Sequence, residues 1–275
     1  MTKIILLTGA TGFVGHQVLC MLADHQVQIR VVVREGSQDK LAKGMPLEQV
    51  ISTQDLFAES ADWWANACSE VDTIIHIAWY TEPGKYLQSS KNIDCMIGSL
   101  NMAKGALQAG VRRFIGIGTC FEYDLTAGFL SVETPLKPLT PYAAAKAATF
   151  TALSQWLPSQ GIEFLWCRLF YLYGDGEDSR RLVPYLRSRL VEGKPAELTS
   201  GNQIRDYIDV TEAARMIVEE VLGNHQGAVN ICSGVPVTVS QLAEKIADEY
   251  GRRDLLKFGA RPDNLFDPPC VVGIK

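Results

Sequence analysis

Short apolar runs, each closed by a glycine or a polar turn, alternate along the first 170 residues with longer stretches whose apolar positions recur every three or four residues. The runs are KIILL from Lys3, IRVVVR at 29–34, a weaker QVIS at 49–52, VDTIIHIA at 71–78, RRFIGIGT at 112–119 and IEFLWCRLF at 162–170. Between them the spacing predicts helices over 13–25, around Trp63 and Trp64, over 92–109, and from Pro141 onward. Strands this uniformly apolar must be covered on both faces, as in a parallel sheet. Right-handed crossovers then produce a doubly wound α/β fold. Beyond Tyr173 the pattern changes: GDGED at 174–178 is followed by short helices and isolated strands, which predicts a smaller C-terminal α/β lobe over the carboxyl edge of the sheet.

A length of 275 residues suits one large domain with such a lobe. With 47% hydrophobic and 21% charged residues the chain can fill a packed core, which argues against disorder. A net charge of −5 disfavours nucleic acid as a partner. The seven cysteines form no CxxC pair, so they are expected to be reduced thiols of a cytoplasmic protein, with neither a disulfide framework nor a zinc site. The first apolar run is too short for a signal peptide and no run approaches a membrane span, so no membrane partner is expected. The four histidines show no ligand spacing, so no metal is predicted, and His76 reads as a satisfied core residue of the fourth strand.

The first strand runs directly into TGATGFVG. Gly9 permits a tight turn, Gly12 lets backbone approach a pyrophosphate, and Gly15 lets the following helix pack close to the strand. The helix start adds free N–H groups and a positive dipole end. An ordinary glycine-rich turn is the plain alternative, but a position between a first strand and a first helix is the context that dinucleotide binding requires. The fold is therefore read as Rossmann-type. Residues 1–170 are expected to form the NAD(P)-binding domain, with 204–230 returning to it, and 171–203 and 231–275 to form the substrate lobe. The second strand ends at Arg34-Glu35. Arg34 can pair with a 2′-phosphate, which favours NADP; Glu35 lies one step further on and leaves NAD as the alternative.

Tyr142 and Lys146 form a YxxxK pair in PYAAAKAA, which puts both on one helix face. The ammonium is expected to lower the phenol pKa and to bond the nicotinamide ribose, and the phenol to exchange a proton with a substrate oxygen. Thr119 ends the preceding strand at the ligand-binding edge, where its hydroxyl can hold the same oxygen. As an isolated signal, YxxxK is also an ordinary surface pair.

Taken together, TGATGFVG, Thr119, Tyr142xxxLys146, RLFYLYG and QIRDYIDV resemble the extended short-chain dehydrogenase/reductases, the nucleotide-sugar epimerase, dehydratase and reductase group. The resemblance implies a Thr119–Tyr142–Lys146 triad and cofactor contacts along Gly9, Thr11, Gly12, Phe13, Val14 and Gly15, near Asp55 and Leu56, and at Ala78 and Trp79. It also implies a nucleotide-diphosphate sugar as substrate, and a homodimer through the helices at 92–109 and 141–157.

The dehydratases of that group carry Asp-Glu after the catalytic threonine, where this chain has Cys120-Phe121. Neither can exchange protons with a sugar as those acids do. The cysteine of the 3,5-epimerases would fall at Phe121, one place from Cys120, so Cys120 reads as a small filler bordering the substrate rather than an acid. Two activities remain: reduction of a 4-keto-6-deoxy sugar and 4-epimerisation through a transient ketone. GTCFEYD, with WYTEPGKY before it, favours the 4-ketoreductase. A non-catalytic NAD(P)-binding regulator is the alternative of another class, and it is disfavoured because both Tyr142 and Lys146 are kept. Tyr171 replaces the asparagine that commonly touches substrate. Arg205 can clamp a diphosphate or pair with Asp206 or Asp209. Tyr80 is expected to line the sugar pocket, and Trp79 either to line it or simply to pack.

Overall fold

The computed structural model describes residues 2–264 and 267–275. In chain order the elements are β1 (Ile4–Thr8), α1 (Phe13–Leu22), β2 (Gln28–Arg34), β3 (Leu47–Thr53), α2 (Ala61–Ala67), β4 (Thr73–His76), α3 (Lys91–Gln108), β5 (Arg113–Thr119), β6 (Phe129–Leu130), α4 (Pro141–Ser159), β7 (Glu163–Leu169), β8 (Tyr171–Tyr173), α5 (Leu182–Val191), β9 (Ala196–Glu197), β10 (Ile204–Asp209), α6 (Val210–Leu222), β11 (Gly227–Ile231), β12 (Pro236–Thr238), α7 (Val239–Glu249), β13 (Leu256–Lys257) and β14 (Cys270–Gly273).

Seven strands form one sheet in the order β11-β7-β5-β4-β1-β2-β3. Every adjacent pair in it is parallel. The order reverses between β1 and β4, the switch point at which ligands of doubly wound sheets bind. Side chains alternate across the sheet as the pleat requires. Ile5 and Leu7 of β1 pack with Val18, Leu22, Ala213 and Ile217 of α1 and α6. Leu6, with Phe114 of β5, instead meets Trp64, Met102 and Leu153 of α2, α3 and α4. Both faces are therefore covered, which explains the uninterrupted apolar runs. Strand β4 is shorter than its apolar run, because Ile77 and Ala78 leave the ladder where the Gly9 backbone closes on them.

A second sheet has the order β12-β10-β14-β6, with β8 pairing β10, and β9 and β13 make a separate ladder. Helices α5 and α7 bury Leu186, Leu190, Leu242 and Ile246 against each other beside them. The segment 204–230 divides between the layers: β10 lies in the second sheet, α6 packs on the first, and β11 forms an edge of the first. No helix among the described residues is long and apolar enough to cross a membrane. All seven cysteines are unbonded.

Candidate active site

The glycine turn sits at the switch point. Gly9 has φ +78°, and a Cβ on it would lie 2.8 Å from the Ala78 nitrogen. A Cβ on Gly15 would overlap the Gly9 carbonyl oxygen. Helix and strand therefore approach as closely as backbone allows. Gly12 is the N-cap of α1; no side chain caps the helix, and no acid stands in its first turn. The N–H groups and dipole end are left for an anion, so the turn fits the pyrophosphate of a dinucleotide. Thr11, Phe13 and Val14 lie on this turn and are half-buried.

Arg34 ends β2, is exposed, and pairs with no carboxylate among the described residues. Asp55 is exposed, and its Oδ1 accepts from the Phe57 amide at 3.0 Å. Leu56 packs partly into the core beneath. The Ala78 amide donates to Thr8 Oγ1 at 3.3 Å. His76 bonds Thr8 Oγ1 at 2.9 Å and Ser99 Oγ at 2.8 Å. Burial, with the Lys146 charge, lowers its pKa to about 3, so it is a neutral, satisfied core residue.

At the neighbouring strand end the triad meets. Thr140 caps α4 by accepting from the Ala143 amide at 3.2 Å, and Pro141 occupies the first turn. This entry aims Tyr142 and Lys146 at the end of β5. The Thr119 side chain stands beside the Tyr142 phenol. The Lys146 ammonium donates to the Ile117 carbonyl at 2.6 Å. All three side chains are buried.

Burial pushes the Tyr142 phenol above its ordinary pKa, the nearby Tyr86 phenol adds to this, and the Thr119 side chain opposes it. Burial also pushes the Lys146 ammonium down, against the Glu122 charge. The expected lowering of the phenol by the ammonium is not what the geometry produces. Lys146 is turned to the Ile117 carbonyl and to the Trp79 ring, 3.8 Å from its centroid. Burial, rather than the lysine, sets the direction of the phenol's shift.

Two further residues shape this centre and had no periodic signal in the sequence. Tyr86 lies in the Pro-Gly loop after β4 and packs edge-on against Tyr142, with centroids 4.8 Å apart and planes at 85°. Glu122 is buried behind Thr119; it accepts from the Thr119 amide at 2.8 Å, the Trp166 indole at 3.0 Å and Arg168 Nε at 2.8 Å. Arg168 also donates to the Tyr123 hydroxyl at 3.0 Å, and that hydroxyl donates to Asn230 at 2.7 Å. The only clue to either was chemical: an aromatic in a turn beside a strand end, and an acid three residues after the threonine in GTCFEYD.

The expected substrate residues are spread around the centre. Cys120 lies beneath it, packed among Tyr123, Leu130, Phe170, Cys232 and Val271, and burial raises its thiol pKa. Tyr80 points to the rim, where its hydroxyl donates to Glu82 at 2.9 Å. Tyr171 stands between Phe121 and Tyr207, with centroids 6.0 and 5.8 Å away. Arg205 lies over the Tyr171 ring at 5.3 Å and forms an ion pair with Asp267 at 2.7 Å. The two acids expected beside it are otherwise engaged: Asp206 accepts from Ser233, Gly234 and Gly273, and Asp209 caps α6. Among the described residues no group of three His, Cys, Asp or Glu side chains is placed to hold a metal ion.

The model of the NAD dependent epimerase/dehydratase family matches residues 5–232. The dTDP-6-deoxy-L-talose 4-dehydrogenase (NAD(+)) of Aggregatibacter actinomycetemcomitans is 22% identical over 274 residues, covering 98% of this chain and 99% of the relative. The GDP-6-deoxy-D-mannose reductase of Pseudomonas aeruginosa is 27% identical over 267 residues, covering 90% and 80%. The crystal structure of UDP-glucose 4-epimerase with UDP-glucose from Thermotoga maritima shares the fold, with a TM-score of 0.85 at 19% identity, covering 99% of this chain and 90% of that one. A glycine turn at the switch point, a Thr–Tyr–Lys cluster beside it and a family match over most of the chain agree, and the chain belongs to the NAD-dependent epimerase/dehydratase family of extended short-chain dehydrogenase/reductases.

Proposed function

We propose that the protein reduces the 4-keto group of a nucleotide-linked 4-keto-6-deoxy hexose, with NADPH preferred. The observation that carries this reading is the buried cluster of Thr119, Tyr142 and Lys146 at the end of β5, with Cys120-Phe121 following Thr119 in place of an acid pair. In the reductive direction the substrate oxygen must gain a proton, and Tyr142 is the acid beside Thr119 that can give it. Thr119 and Tyr142 hold the carbonyl oxygen, and Tyr142 passes its proton to that oxygen as negative charge develops there. The proton is then replaced from solvent. When bound, the nicotinamide coenzyme supplies the hydride. Dehydration is disfavoured because Cys120 is a buried thiol and Phe121 has no acid. The names of both relatives above describe redox chemistry on a 6-deoxy nucleotide sugar, which supports the same reading.

The NADPH preference rests on Arg34, which is exposed at the end of β2 without a partner acid. NAD is the alternative, since the talose dehydrogenase carries NAD(+) in its name. For the substrate we propose that Arg205 exchanges Asp267 for the diphosphate, with Tyr171 and Tyr80 flanking the sugar. We further propose that two copies pair through α3 and α4, because Ile93 and Ile97 of α3 remain 47% and 49% exposed.

The test is absorbance at 340 nm with NADPH and a panel of 4-keto-6-deoxy nucleotide sugars, for the wild type and Tyr142→Phe. Net coenzyme consumption that is lost in the variant is the expected result. Isomer formation without consumption replaces the reductase reading with epimerisation. Undiminished turnover by Tyr142→Phe refutes the mechanism.

A further inference from the structure

An ammonium carries three N–H donors, yet the buried Lys146 gives one hydrogen bond to the protein, to the Ile117 carbonyl at 2.6 Å. The remaining compensation for its burial comes from an aromatic face. Nζ lies 3.8 Å from the Trp79 ring centroid, while Trp166 stands further off at 5.7 Å. A desolvated cation over an indole is among the stronger contacts of this kind.

The Trp79 ring is itself fixed. Its Nε1–H donates to Asn92 Oδ1 at 2.9 Å. Asn92 is buried at the start of α3, and its amide donates to the Tyr86 and Ser89 carbonyls at 2.6 and 2.9 Å. One buried amide thus ties down the ring that covers Lys146 and the backbone of the residue that packs on Tyr142.

We infer that Trp79 is a positioning residue: its indole face, locked by Asn92, holds the Lys146 ammonium at the end of β5. The inference rests on Thr119, Tyr142 and Lys146 forming the reaction centre, as read above. Trp79 acts through the lysine and moves no proton itself.

The titratable groups facing Lys146 are Glu122 from the turn after β5, Cys95 from α3 and His76 from β4. Glu122 and Cys95 favour the charged lysine, whereas burial opposes it. The π face adds to the favourable side. Removing it leaves burial less opposed, so the lysine loses its proton at lower pH.

The test is NMR of the protein carrying ¹³C-labelled lysine, without coenzyme, with Lys146 assigned by the signal missing in Lys146→Arg. The ε-methylene protons of Lys146 should be displaced upfield by the indole ring current. The displacement should shrink in Trp79→Phe and in Asn92→Ala, and fall in Trp79→Leu to the smaller part that the more distant Trp166 supplies. The titration midpoint of Lys146 in Trp79→Leu should fall by about one pH unit, the size of a desolvated cation–π contact. Trp79→Phe keeps the apolar volume and carries the test if Trp79→Leu does not fold. An unshifted wild-type signal, or a midpoint indifferent to Trp79, overturns the inference. If Tyr142→Phe abolishes turnover while Lys146 ignores Trp79, this inference alone fails. If Lys146 responds to Trp79 while Tyr142→Phe stays active, the reading of the triad fails and the placement of the lysine stands.

Discussion

Glu122 and Arg168 form an ion pair at 2.8 Å with side chains 0% and 1% exposed, directly behind Thr119. Two charges so fully withdrawn from water are tolerable only together. Glu122→Gln or Arg168→Met leaves one of them uncompensated and should cost about 3–5 kcal/mol in urea unfolding. The double variant should recover a large part of that loss, because both charges are gone. Equal additive losses in the double-mutant cycle would show that the pair is not coupled. Glu122→Gln should also weaken the hold on the Thr119 amide, so its kcat should fall more than that of Arg168→Met.

Gly15 offers a test of the coenzyme turn. A methyl group there meets the Gly9 carbonyl, a backbone atom that cannot rotate away. Gly15→Ala should therefore push α1 off β1, destabilising the fold by about 1–3 kcal/mol and weakening coenzyme binding further. Calorimetric melting with and without NADPH measures both, and wild-type values for the two would refute the close-packing argument.

Coenzyme selectivity is predicted to reside in Arg34. Arg34→Ala should lower NADPH affinity by roughly 10- to 100-fold, the value of a charge-assisted hydrogen bond, while leaving NADH nearly unchanged. Fluorescence titration of both coenzymes decides the matter. Tighter NADH binding in the wild type counts against an NADP preference.

Much of this layout was legible because it depends on local spacing. Gly9, Gly12 and Gly15 encode a turn by themselves, and Tyr142 and Lys146 share a helix face whatever lies around them. The inner strands of the large sheet were legible too, since they are apolar on both faces, whereas the edges β3 and β11 are less buried and gave a weak signal or none. What stayed hidden involves pairs distant in sequence. Arg205 meets Asp267 rather than its neighbours, because Asp206 is taken by amides of a turn and by Gly273. Lys146 turns to Trp79 rather than Tyr142, a choice made by Asn92 and invisible in a YxxxK motif. Strands β6, β9 and β13 are two residues long, too short for any period to register.

Glu177 should make stability fall with rising pH. Burial of its carboxyl in the loop after β8 lifts its pKa from 4.5 to about 7, and Oε2 has no hydrogen-bond partner among the described residues. The folded protein therefore holds this proton over a range where the unfolded chain has released it, and stability is lost as pH climbs from 4.5 to about 7. His76 tilts the curve the other way, since its depressed pKa costs stability as pH falls below 6.5. The difference between the wild type and Glu177→Gln cancels that contribution. Melting temperatures from pH 4.5 to 8 should show the variant gaining on the wild type as pH rises, and parallel curves would contradict the assignment.

Asp209 is at once the last residue of β10 and the N-cap of α6, its Oδ1 accepting from the Thr211 amide at 2.8 Å. The second sheet therefore passes into the first layer with no spacer residue, and swinging one against the other here would uncap a helix. Two surface segments meet beside Tyr142, with Arg181 over the Tyr86 ring at 5.7 Å and Arg180 near Glu82 at 3.9 Å. The Arg180–Glu82 contact joins exposed side chains, so added salt should loosen these segments before it disturbs the body of the protein.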